Sequence, residues 1–88
     1  METLGERPDD FPHIHHVKAI GQHDDLLGAV RAAVAVHVPD ISEQAFSVRA
    51  SGGGKYTAVT CSVTVHDAEH LQAIYAAVQG IEGVMLCL

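Results

Sequence analysis

A glycine turn that opens straight into an alternating β-branched run constrains this chain more than any other segment. Arg49 to Tyr56 reads Arg-Ala-Ser-Gly-Gly-Gly-Lys-Tyr, and Thr57 to Val65 continues as Thr-Ala-Val-Thr-Cys-Ser-Val-Thr-Val. A phosphate-cradling glycine loop would hand its backbone N–H groups to the start of a helix. Here the period after the glycines is two, so the segment reads as a hairpin turn feeding a half-buried strand. Val59, Cys61, Val63 and Val65 form one face of that strand, and Ala58, Thr60, Ser62 and Thr64 the other.

The remaining elements arrange themselves around this strand. Ile14 to Ile20 is a first strand closed by Gly21; if Lys18 faces water, Ile14, His16 and Ile20 share its side, and His15, Val17 and Ala19 point the other way. A helix is expected from about Asp24 to His37, with Leu27, Val30 and Val34 inward and Pro39 preventing continuation. A second strand spans about Gln44 to Ala50, with Phe46, Val48 and Ala50 alternating against Ser47 and Arg49. Asp67 caps a second helix of about Ala68 to Gln79, stopped at Gly80, and Val84 to Leu88 is a final strand. Strand, helix, strand, strand, helix, strand is the split βαβ pattern of the α+β ferredoxin-like fold. Right-handed crossovers then give an antiparallel four-stranded sheet in the order 4-1-3-2 with both helices on one face. The expected core is Val17, Val30, Val34, Phe46, Val48, Val59, Val63, Leu71, Ile74 and Leu86. The opposite sheet face is left uncovered, carrying Lys18, Arg49, Thr60, Ser62, Thr64 and His16.

Size and charge narrow the function. Eighty-eight residues make one domain, and a chain this short buries only about 60–65% of its unfolded surface, so a deep internal pocket is not expected. Residues 1–10 carry Glu2, Glu6, Asp9 and Asp10 against Arg7; they read as a disordered, solubilising acidic tail, and residues 11–88 as a single domain. No apolar signal segment or span-length apolar run is visible, which sets a cytoplasmic, membrane-free expectation. A formal charge of −6 with only five Lys and Arg argues against nucleic-acid and anionic-membrane binding, both of which need clustered positive charge. Aromatic base-stacking platforms are also missing, since Tyr56 stands only near the turn.

From Phe11 to Leu88 the chain resembles the YbeD-like proteins, small bacterial proteins with an ACT-like ferredoxin fold. The residues that carry the likeness are Phe11-Pro12, Lys18-Ala19-Ile20-Gly21, His37-Val38-Pro39, Ser51 with Gly54-Lys55-Tyr56, Val59 and Ile74-Tyr75. The resemblance implies a regulatory module that acts on a partner protein or a small molecule, and a context near lipoate attachment. It brings no catalytic residues. The chain departs from the family pattern at Gly52 and Ala58, where hydroxyl residues are usual, and at His15 and Val17, where aromatic residues are usual.

Candidate sites follow from residue chemistry. Seven histidines invite a metal reading, but His13 and His15 share a strand face while His16 points away, so three adjacent ligands do not converge and neither metal nor cofactor is expected. Asp67 with His70 has the residue types of a dyad, yet a cap three residues ahead of a first-turn histidine accounts for the spacing, and no enzyme is expected. The surviving site is Lys18, Arg49, Ser51, Lys55 and Tyr56, where cations and turn amides gather around an open hydroxyl-rich face. It suits a small carboxylate or phosphate, or a partner protein. The competing reading is edge protection by Arg49 and Lys55. The leading expectation is a non-enzymatic regulatory or binding module; the alternative is a self-associating structural or adaptor domain that uses the same face between copies.

Cys61 and Cys87 lie on the third and fourth strands, which the expected order separates by the first strand. Their strand axes are then about 9.6 Å apart, beyond the roughly 7 Å between Cα atoms that a disulfide spans. Alkylation of the denatured protein without reductant should label two thiols; a protected pair would overturn this strand order.

Overall fold

The computed structural model describes residues 11–88; the acidic stretch 1–10 and its expected disorder lie outside the described residues. The elements are β1 (His13–Gly21), α1 (Leu26–His37), a 3-10 turn (Glu43–Ala45), β2 (Phe46–Ser51), β3 (Tyr56–Val65), α2 (Ala68–Gln79) and β4 (Val84–Cys87). The sheet order is β2-β3-β1-β4 with every pairing antiparallel. This is the expected split βαβ topology.

Local chemistry explains the boundaries. Gly52, Gly53 and Gly54 all have positive φ (61°, 70° and 91°), a conformation glycine enters without the Cβ penalty, so the triple glycine is the turn itself. Asp25 precedes α1 rather than lying in its first turn: its Oδ1 accepts the N–H of Gly28 at 3.0 Å. Asp67 Oδ1 accepts the N–H of His70 at 2.7 Å and starts α2. Each bond satisfies a donor that the helix start would otherwise leave open.

The core lies between the helices and one sheet face. Leu26, Val30 and Val34 of α1 and Ile74 and Val78 of α2 close on Val17, Ala19, Val59, Cys61, Val63 and Val65. Phe46, Leu71 and Cys87 pack at its margin, partly buried. The two cysteines are free thiols on strands separated by β1.

Two expected core residues do not belong there. Val48 faces the helix layer but is 50% exposed, because β2 is the edge strand and its outer flank has no neighbour. Leu86 is 48% exposed and lies on the opposite face. A register shift between Ile20 and Gly21 pairs Leu86 with Ile20 and Val84 with Gly21, so Val84 and Cys87 turn inward. Glycine makes the shift sterically feasible: a Cβ on Gly21 would run into the carbonyl oxygen of Gly83, and Gly83 itself has φ +95°. The bulge re-aims the strand, which alternation alone does not reveal.

The two faces make different demands on substitution. Ile74→Ala should cost about 2–5 kcal/mol of unfolding free energy, whereas Leu86→Ala should change it by no more than about 0.5 kcal/mol. Urea denaturation of both variants checks this, and comparable losses would return Leu86 to the core.

Candidate functional site: the open sheet face

The register lays the uncovered face out in rows. Ser47, Thr60 and Lys18 lie side by side across β2, β3 and β1, and Leu88 joins the row by exchanging two backbone hydrogen bonds with Lys18, at 3.0 and 2.7 Å. The adjacent row is Arg49, Ala58, Ile20 and Leu86. Ser51 and Tyr56 pair at the hairpin end. Toward the other end come Ser62 with His16, then Thr64 with Ile14; His16 Nδ1 and the Ser62 hydroxyl are 2.9 Å apart.

All five candidate residues lie on or at the rim of this surface, as two groups rather than one pocket. Ser51, Lys55 and Tyr56 cluster at the turn, where Lys55 Nζ sits 5.6 Å from the centre of the Tyr56 ring and the Gln22 side-chain amide donates to the Lys55 carbonyl at 3.4 Å. Lys18 stands on a central strand. From a strand spacing of about 4.8 Å and a rise of about 3.4 Å per residue, its Cα lies roughly 12 Å from that of Arg49, a gap that their long side chains can share. Ala58, between Arg49 and Ile20, is only 3% exposed although it faces outward, because longer neighbours shade it.

Two properties of the face exceed the sequence reading. First, none of its described residues is Asp or Glu, in a chain that has eleven. The carboxylates of the described residues stand at helix ends and connecting segments, and Arg31 takes Glu43 as its partner there at 3.5 Å. Second, the face is divided. Its β2–β3 half is hydroxyl-rich and carries Arg49, while its β1–β4 half carries Leu86 and Leu88 (59% exposed) beside Lys18, with Ile14 (65% exposed) at the far end of β1. Alternation placed Ile14 and Ile20 on this side; no sequence signal marked the bulge that adds Leu86.

The histidines have structural partners. His70 joins the helices: its Nδ1 accepts the His66 backbone N–H at 3.2 Å, and its Nε2 lies 2.9 Å from the His37 carbonyl at the end of α1, which fits the Nε2–H tautomer. With the Asp67 carboxylate on the His70 backbone, the pair forms a cap and a clamp. His15 Nε2 lies 3.1 Å from the Tyr75 hydroxyl under α2. Among the described residues no group of three or more His, Cys, Asp or Glu is arranged to hold a metal ion. Burial pushes the Cys61 thiol up to about 11 and raises Cys87 as well, which disfavours the thiolate a nucleophile requires. A groove of about 400 Å³ is lined by Asp40, Ser42 and the face residues Ser62 and Thr64, so a carboxylate borders the His16 and Ile14 end of the face, and Lys18, Arg49 and Lys55 are not among its lining. No helix among the described residues is long and apolar enough to cross a membrane.

A split βαβ sandwich with one covered and one open sheet face defines the class of protein. Residues 8–88 match the family described as protein of unknown function (DUF493). The chain is 33% identical to a UPF0250 protein of Chromobacterium violaceum, covering 99% of this chain and 94% of that one. It is 37% identical to a UPF0250 protein of Shewanella sp. strain ANA-3, covering 96% and 94%. The chain belongs to this DUF493/UPF0250 family, the YbeD-like group that its motifs resemble. The solution structure of protein HP0495 from H. pylori superposes with a TM-score of 0.68 at 15% identity over 89% of this chain and 82% of that one, a likeness of fold.

The position of His15 predicts a pH response. Burial first, then the neighbouring His13 and His16, hold its pKa below the usual 6.5. Between that lowered value and about 6.5 the unfolded chain takes up a proton that the folded one refuses, so the contribution of His15 is present above about pH 6.5 and lost as pH falls through this window. His15→Gln should flatten that part of the stability profile; urea midpoints between pH 5 and 8 measure it, and an unchanged slope refutes it.

Proposed function

We propose that this protein is a non-enzymatic, ACT-like regulatory or binding module that recognises a partner protein on its open sheet face, with a small carboxylate or phosphate as effector. The observation that carries this reading is the segregation of charge: Lys18 and Arg49 stand on a face without a described carboxylate, in a chain of net charge −6. Cations with no carboxylate partner among the described residues can form charge-assisted hydrogen bonds to an incoming anion, strongest where both groups shed water. The buried thiol of Cys61 and the structural employment of His70 and Asp67 support a binding role over a catalytic one. The family resemblance directs the search for a partner to proteins of lipoate attachment in the bacterial cytoplasm. Fold alone does not choose among the uses of this architecture.

The competing role of Arg49 and Lys55, protection of an edge, makes a different demand on the same cations. If they recognise a partner, replacing both with Gln should weaken a captured partner's binding at least tenfold, about 1.4 kcal/mol, and flatten its dependence on salt. If they only guard the edge, binding stays intact and aggregation rises. Titration of wild type and the double variant at two salt concentrations decides it: unchanged affinity at both removes the recognition reading.

A further inference from the structure

The division of the open face specifies its occupant more closely than charge alone. We infer that this face docks an acidic amphipathic segment of a partner protein, its apolar side chains against Ile20, Leu86 and Leu88 and its carboxylates toward Lys18 and Arg49. The inference rests on the recognition reading above and names the chemistry of the partner. Leu86 and Leu88 are 48% and 59% exposed, on the strand beside Ile20 and Lys18. Burying such side chains is worth about 25 cal/mol per Å² removed from water, so a ligand with carboxylates and no apolar surface leaves half of the face unused.

Charge complementarity selects this occupant among the alternatives. A second copy laid face to face would set Lys18 and Arg49 against the same cations with no described carboxylate on either surface, an arrangement that repels. An anionic lipid surface or a nucleic acid is drawn by clustered positive charge, whereas this face offers two cations, a third at its rim, and a chain that is negative as a whole. Its described aromatic residue, Tyr56, already lies beneath Lys55 at the hairpin end. A segment with carboxylates on one side and leucine-like residues on the other satisfies both halves of the surface at once.

Three synthetic 15-residue peptides test this on the full chain: one of Leu and Glu at amphipathic spacing, one of Leu and Lys at the same spacing, and one of Ser and Glu. Binding is read by fluorescence anisotropy at two salt concentrations and by amide chemical-shift changes, with sedimentation reporting the mass of each complex. The Leu/Glu peptide should bind one to one, shift the amides of Lys18, Ile20, Ala58 and Leu86, weaken with salt, and lose at least tenfold in affinity in the Lys18→Glu, Arg49→Glu variant and in Leu86→Ser. Native-like spectra of those exposed-site variants keep the comparison interpretable. Equal binding of the Ser/Glu peptide overturns the amphipathic partner yet leaves a simple anion-recognising module standing. Equal binding of the Leu/Lys peptide, shifts confined to another surface, dimerisation in place of a one-to-one complex, or failure of all three to bind overturns the inference.

Discussion

The pairing of β1 with β3 is the constraint on which the rest of the structure depends. Nine consecutive residue pairs run from His13 with Val65 to Gly21 with Thr57 without a register shift. In a sheet with one buried face, a slip of β1 by one residue against β3 would send Val17 and Ala19 to the solvent side and bring Lys18 and Ile20 under the helices. Burying Lys18 without a partner would cost far more than any local gain could offset. The register is therefore held by the contrast between the two faces, and it fixes which side chains stand on the open one.

Both helices owe their positions to the same contrast. Each presents a narrow apolar stripe, Leu26, Val30 and Val34 on α1 and Ile74 and Val78 on α2, and each finds the same apolar sheet face. The clamp from His70 to the His37 carbonyl ties the start of α2 to the end of α1. The layer is closed there, and among the described residues no element covers the opposite side of the sheet. With little interior to spare, a domain this small offers its polar side chains on a surface rather than in a deep cavity.

Placing the described carboxylates outside the rows that carry Lys18 and Arg49 has a physical consequence that a net charge hides. At about 0.15 M salt, charges more than roughly 8 Å apart are largely screened from one another. A ligand on the sheet therefore senses Lys18 and Arg49 more strongly than acids at the helix ends. The overall negative charge discourages indiscriminate binding of polyanions, while an anionic group at Lys18 and Arg49, as proposed above, would meet a locally positive field. The apolar half beside it adds contact area that is indifferent to salt.

Much of this was legible in the sequence because strand alternation and helix spacing are local periodicities. The hairpin glycines, the cap Asp67, the strand order and the facing of Lys18 with Ile14, His16 and Ile20 follow from patterns within a few residues, and the split βαβ order then leaves few topologies. The misplacement of Val48 and Leu86 came from elsewhere. Whether an apolar residue on an edge strand is covered depends on how far a helix reaches, and Leu86 turns outward because a bulge opposite Gly21 changes the phase of β4. Ser51, Lys55 and Tyr56 could be grouped from chain proximity, whereas the roughly 12 Å between Lys18 and Arg49 and the lack of described carboxylates in their rows arise only when three strands are laid side by side. Sequence by itself determined the elements and the faces of β1 and β3, since those depend on neighbours in the chain; tertiary structure alone decided the divided surface, since it depends on register between segments far apart in the chain.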